Sequence, residues 1–270
     1  MGIAVQRAES RKFLADAFDI HTLSPETSFI TRAIMGNGAS KKYDVVDLSD
    51  ATIHSTDGIP DALAPSTCAQ AFEAKKQAVT LQNWIFASTT NSTTEVSFEQ
   101  TQLMNPEKYQ FNNGSGDTKE TLATIVCTHR KLGGATFTFY RTEPAYRDQK
   151  PCDDPTLTKI KEEGSTLYPC AEISIKGVSS ATYCVETSAG LKEVYKIQKM
   201  GMIKFRCVIE QSGGEGKGGA VAKAQQANAI GSKGNIEVGK GCDLMAICSL
   251  VILLINANQQ AGGGAAAAGM

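Results

Sequence analysis

The sequence lacks several features that would assign it to a common functional class. Its 270 residues include only three histidines and one tryptophan, and its formal net charge is −1. Nucleic-acid-binding domains are commonly strongly basic, so a net charge of −1 argues against nucleic acid as the partner. The first residues contain no apolar stretch of signal-peptide length, which predicts a cytoplasmic protein, either soluble or peripheral at a membrane.

The eight cysteines also fail to form a recognisable pattern. No C-x-x-C pair is present, and the spacings match no known zinc site. In a cytoplasmic chain we expect reduced thiols that fill the core as small apolar side chains.

Motifs for catalysis are missing as well. None of His21, His54 and His129 is spaced for metal ligation with a second histidine, a cysteine or a carboxylate. The glycine-rich segment Ser212–Gly219 lacks the Gly-Lys-Ser/Thr ending of a nucleotide-binding loop, and no Gly-x-Ser-x-Gly occurs. We therefore predict no catalytic residues, no cofactor and no metal, and a protein that is not an enzyme.

What the chain does contain is a series of short segments typical of strands. Residues Thr121–Thr128 are apolar on both faces, which suits a strand with a packed interior. Residues Thr136–Tyr140 alternate threonine with aromatic residues, which fit a pleated surface. A turn at Gly177–Ser180 predicts a hairpin in which Ile173 lies opposite Cys184. Tyr43–Val46 is also strand-like, whereas the Gln/Ala/Lys-rich stretch before Trp84 suggests a helix. About a dozen such strands indicate a barrel or a sandwich.

One segment near the carboxyl end has no polar face. Residues Leu244–Ile255 are apolar except for Ser249, Asp243 is placed to cap the first turn, and Asn256 and Asn258 predict the end of the helix. A helix that is apolar all round must be buried all round, and this one is shorter than the roughly 20 residues needed to span a bilayer. We therefore predict that it fills the interior of a barrel and is not transmembrane. The predicted core helix residues are Asp243, Leu244, Ile247, Leu250, Val251 and Leu254.

At this point the sequence resembles LURP-one-related proteins. The run Ile236–Asp243 before the apolar helix is similar to that family's V-x-x-G-x-D strand end. Tyr43–Asp47 is similar to its Y-x-V-x-D strand, Leu122–Lys131 to its L-x-T-x-x-x-K strand, and Gly219–Lys223 to its x-V-A-x-V strand. The resemblance implies the barrel shared with phospholipid scramblases and the tubby C-terminal domain, in which twelve strands enclose a hydrophobic helix.

We accordingly predict an α+β fold: an antiparallel β-barrel of about twelve strands enclosing one hydrophobic C-terminal helix, as in the tubby C-terminal domain. The expected organisation is an N-terminal extension over residues 1–28 and the barrel over residues 29–258. A disordered Gly/Ala tail is expected over residues 259–270.

The resemblance implies a lipid partner. Tubby-type binding of phosphoinositides or other anionic phospholipids would use basic side chains, and the candidates are Arg32, Lys41, Lys42, His129, Arg130 and Lys131. We expect a non-enzymatic intracellular module that docks on anionic phospholipid or on a protein partner. The alternative is scramblase-like movement of lipids between leaflets. The acidic segment that scramblases carry before the terminal helix is reduced here to Glu237 and Asp243.

Overall fold

Alternating burial shows why so many segments of this chain pair as strands. In the strand Ser180–Thr187, Ala181, Tyr183 and Val185 are buried, while the residues between them are more exposed. Successive side chains of a strand point to opposite faces, so this spacing gives the strand one face in the core and one face outside.

The structure is a computed structural model that describes residues 43–44, 46–51, 61–77, 82–90, 93–103, 106–131, 134–153, 166–177, 179–199, 205–212, 219–226 and 232–267. The chain divides into two units, Met1–Lys42 and Tyr43–Met270, and all described residues lie in the second. The elements are β1 Gln70–Lys76, β2 Trp84–Ser88, β3 Glu95–Gln102, β4 Lys108–Asn113, β5 Glu120–Lys131, β6 Gly134–Arg141, β7 Tyr168–Lys176, β8 Ser180–Thr187, β9 Gly190–Lys199, β10 Arg206–Gln211, β11 Ala220–Gln226, β12 Lys233–Val238 and α1 Leu244–Ala267.

The strands form one closed barrel. Each strand pairs antiparallel with the next in the sequence, and β12 closes on β1 through the pairs Gln70–Val238 and Phe72–Ile236. This arrangement confirms the predicted closed antiparallel barrel with one helix. Closure leaves no unpaired edge among these strands, so their backbone hydrogen bonds are made within the sheet.

The helix α1 lies in the core of this barrel. Every side chain from Asp243 to Asn256 is buried, including the six predicted core residues. At its start the backbone N–H of Met245 donates to Asp243 Oδ1 at 2.9 Å, and the N–H of Asp243 donates to the Tyr195 hydroxyl at 3.2 Å. The first turn is therefore capped from its own chain and anchored to β9. Within the described residues, no helix is both long enough and apolar enough to cross a membrane.

The helix ends later than the sequence suggests. It continues to Ala267, 12 residues beyond Ile255, so the predicted end at Asn256 is wrong and residues 259–267 are helical where a disordered tail was expected. Once a helix has formed, each further residue adds one backbone hydrogen bond without repeating the cost of nucleation.

Three local predictions are also wrong. Tyr43 and Asp44 are helical, and the described residues 46–51 form no strand. The stretch before Trp84 is the strand β1, because burial of Phe72 and Ala74 outweighs helix propensity. In the hairpin β7–β8, Ile173 pairs with Tyr183 and not with Cys184, since both inward-facing side chains must meet in the core.

The glycines of the Ile236–Asp243 segment have a structural role here. Ala51 donates its backbone N–H to the Lys240 carbonyl at 2.7 Å, which brings residues 46–51 against the end of β12. A Cβ at Gly239 would clash with the Ser49 carbonyl oxygen, and Gly241 has φ of +79°. Only glycine meets both requirements without strain.

The buried hydroxyl of Ser249 provides a test of how α1 packs. Its Oγ has no hydrogen-bond partner among the described residues. Because an unpaired buried hydroxyl is costly, Ser249→Ala should raise the free energy of unfolding by about 1 kcal/mol. The neighbouring Leu250→Ala should lower it by about 2–5 kcal/mol. Urea denaturation measures both, and a destabilising Ser249→Ala would contradict the packing described here.

A second test concerns pH. All eight cysteines lie in the described part of the chain, and no disulfide joins them. Burial raises the pKa of Cys170 and of Cys242 to about 12, from an ordinary value of 9.0. Between pH 9 and pH 12 these two thiols keep their protons in the folded state but lose them in the unfolded state. The stability that the protonated thiols contribute is therefore complete below pH 9 and is lost as the pH rises towards 12.

In urea denaturation under reducing conditions, the free energy of unfolding should therefore be lower at pH 10 than at pH 8 by about 1 kcal/mol per buried thiol. Cys170→Ala should reduce this difference. The same change at the exposed Cys68 should leave it unaltered, and equal effects of the two substitutions would exclude this explanation.

Candidate functional site

The barrel has two chemically different ends. Because neighbouring strands are antiparallel, odd-numbered strands finish at the end where even-numbered strands begin. The apolar part of α1 reaches this end, since Ile255 lines one small gap together with Trp84 at the start of β2 and Gly234 near the start of β12. The opposite end holds Asp243 and the start of the helix.

Charge is segregated between these ends. The contrast holds for the two terminal residues of each strand together with the described residue that adjoins them. At the end where α1 emerges, the described side chains at these positions include one acidic residue, Glu107. We call the cations at the same positions the basic end: Lys75, Lys76, Lys108, Arg130, Lys131, Lys176, Arg206 and Lys233. At the opposite end the same positions hold Glu95, Glu120, Glu186, Glu210 and Glu237 with Lys119 and Arg141.

The barrel register places these cations next to one another. Lys75 on β1 pairs with Lys233 on β12. Lys131 on β5 pairs with Gly134, the first residue of β6, which in turn pairs with Lys176 on β7. Lys75, Lys131, Lys176 and Lys233 are exposed, and Lys75 also forms an ion pair with Glu73 at 3.1 Å.

Half of the predicted candidates fall on this surface. His129, Arg130 and Lys131 are the last three residues of β5, and all are exposed. Arg32, Lys41 and Lys42 lie outside the described residues. Sequence reasoning missed the other cations of the basic end because they are dispersed along the chain, and only the meander brings their strand ends together.

The single acidic residue of the basic end organises a small network. Glu107 forms an ion pair with Arg130 at 2.9 Å and accepts a hydrogen bond from the Tyr109 hydroxyl at 2.5 Å. Burial raises the pKa of Tyr109, and the hydrogen bond to Glu107 raises it further. Arg130 also lies beside Cys127, where burial raises the thiol pKa and the guanidinium opposes that effect. The network fixes Arg130 against the barrel.

The barrel interior offers little room for a ligand. Two gaps beside α1 have volumes of about 10 and 20 Å³, which is close to the volume needed for one water molecule. A larger open cleft of about 650 Å³ lies at the opposite end, lined by residues 146–150 and by Pro169, Glu186 and Ser188. Its lining mixes cations with carboxylates, so it does not select one sign of charge.

The part of the chain that the structure describes shows no metal site. There, no group of three or more histidine, cysteine, aspartate or glutamate side chains is arranged to hold a metal ion. Burial raises the pKa of Glu186 in the open cleft, and nearby Glu172 raises it further. A carboxylate pair of this kind does not by itself assign a reaction.

The network around Glu107 can be tested by a double-mutant cycle. Glu107→Ala leaves the buried Tyr109 hydroxyl without this acceptor, so it should lower the free energy of unfolding by about 1–3 kcal/mol. In a Tyr109→Phe background the same change should cost less, because there is no hydroxyl to satisfy. Urea denaturation of the four proteins gives the coupling energy, and strictly additive effects would rule out this network.

Comparison with known proteins identified no relative of this chain. No protein-family model, no curated protein and no solved structure matches the chain. The resemblance to LURP-one-related proteins therefore stays a prediction that rests on the motifs themselves.

Proposed function

We propose that this protein is a non-enzymatic binding module that docks on anionic phospholipid membranes through the basic end of its barrel. The observation that supports this proposal is the concentration of eight cations and one glutamate among the described side chains at the strand termini of that end, in a chain whose net charge is −1. A tubby-like and LURP-one-related origin is part of the same proposal, since the resemblance implies the phosphoinositide binding of the tubby type.

The physical basis is electrostatic. Each lysine or arginine near an anionic leaflet contributes about 1 kcal/mol to binding. The closed sheet already holds the backbones of these cations in place. Binding therefore does not have to order the backbone before several cations can contact the membrane together. Surface electrostatics of this kind are screened over about 8 Å at physiological ionic strength, so binding should weaken with added salt.

A surface mechanism also agrees with the packed interior. A barrel that enclosed a lipid tail would need a cavity of several hundred Å³, whereas the gaps beside α1 have volumes of about 10 and 20 Å³. The side chains that can meet a partner are therefore those on the outside and at the ends.

The proposal is tested by co-sedimentation of the full-length protein with phosphatidylcholine vesicles that do or do not contain phosphatidylserine. Changing Lys131, Lys176 and Lys233 together to Glu should weaken binding to the anionic vesicles at least tenfold. The matched control changes Lys150, Lys192 and Lys240 to Glu, which alters the net charge equally but leaves the basic end intact. All six lysines are exposed.

Equal losses in the two triple variants would show that net charge alone attracts the protein, and would contradict docking through the basic end. No vesicle binding by the unaltered protein would favour a protein partner with an acidic surface. Calcium-dependent movement of labelled lipid between leaflets in the same vesicles would favour the scramblase-like alternative.

A further inference from the structure

The described part of the barrel exposes two large apolar side chains. Leu103 is 61% exposed and Leu191 is 51% exposed. Leu103 directly follows β3 and lies at the basic end, whereas Leu191 is the second residue of β9 and lies at the opposite end. Single exposed leucines are common on protein surfaces, so the position of Leu103 among cations matters more than its exposure.

The backbone beside Leu103 is held in place. The Gln102 side-chain amide donates to the Pro106 carbonyl at 2.9 Å, and the Thr101 hydroxyl donates to the Lys108 carbonyl at 3.4 Å. These bonds cross the connection between β3 and β4. They fix the end of β3, from which Leu103 follows, against Lys108 at the start of β4.

The helix α1 restricts how this end can approach a flat surface. Among the helix residues whose side chains are described, Asn256 is the last buried one, Ala257 is partly buried and Gln259 is exposed. Residues 257–267 remain helical and, at 1.5 Å per residue, extend for about 16 Å. If this segment continues along the barrel axis, it prevents the strand ends around it from all touching a plane at once, and one side of the rim makes the contact.

We infer that the barrel docks on an anionic bilayer in a tilted orientation, with Leu103 inserted between lipid headgroups and the cations of β4 and β5 around it. This inference rests on the proposed function and adds to it the orientation of the barrel and the inserted side chain. Lys108 on β4 is one strand away from Leu103, and Lys131 on β5 is two strands away. Lys176 on β7 is four strands away, so in the tilted orientation it should lie farther from the bilayer than Lys108.

Tryptophan fluorescence tests the insertion directly. Trp84 is the natural tryptophan and is 2% exposed, so it supplies a constant background. With anionic vesicles, Leu103→Trp should shift its emission to shorter wavelength and be quenched by lipids brominated on their acyl chains. Leu191→Trp is the matched control at the opposite end, and its emission should not change.

Affinity gives a second measurement. Leu103→Ser should weaken binding to phosphatidylserine-containing vesicles about tenfold, as expected for losing the burial of one leucine. Leu191→Ser should have no effect. Lys131→Glu should weaken binding more than Lys176→Glu, by at least threefold.

The outcomes separate this inference from the proposed function. If the protein binds anionic vesicles but Leu103→Trp shows neither shift nor quenching, the tilted insertion is wrong and docking through the basic end stands. If Leu191→Trp responds instead, the opposite end is the membrane contact and both are wrong. If the unaltered protein does not bind vesicles, the proposed function fails and this inference fails with it.

Discussion

Burial of the apolar part of α1, Leu244–Asn256, on every side is the constraint on which the rest of the barrel depends. A helix with no polar face is unstable in water, and its side chains from Leu244 to Asn256 are all covered. A two-layer sandwich would leave part of such a helix exposed, whereas a closed sheet surrounds it. The cap at Asp243 and its contact with Tyr195 then set where the helix starts within the barrel.

A filled barrel moves any binding function to its outer surface. With the interior occupied by a helix, the ends and the outer face are the remaining places where a partner can touch the protein. The meander topology gives those ends different charges, because every second connection lies at the same end. Clustering of Lys75 with Lys233 across the β1–β12 pair therefore follows from closure of the barrel and not from proximity in the chain.

Prediction from sequence succeeded where a pattern reports burial directly. The apolar run before Asn256 and the residue patterns of β5 and β6 identified the core helix and its surrounding strands. It failed where tertiary contacts override local preference, as in β1 and at Tyr43, and where helix propagation extends a segment past its expected end. Half of the candidate site was found from the consecutive residues His129–Lys131. The dispersed Lys75, Lys176 and Lys233 gave no signal because they are far apart in the chain.

The sequence by itself determined that an apolar helix must be enclosed by strands. Hydrophobic periodicity is a property of consecutive residues, and it indicates which faces of an element are buried. The tertiary structure alone decided the register of the hairpins, the position of Leu103 and the segregation of charge between the two ends. Those features depend on which strand ends become neighbours when the sheet closes. A chain whose net charge is −1 can therefore present one strongly cationic surface whose residues are mostly far apart in its sequence.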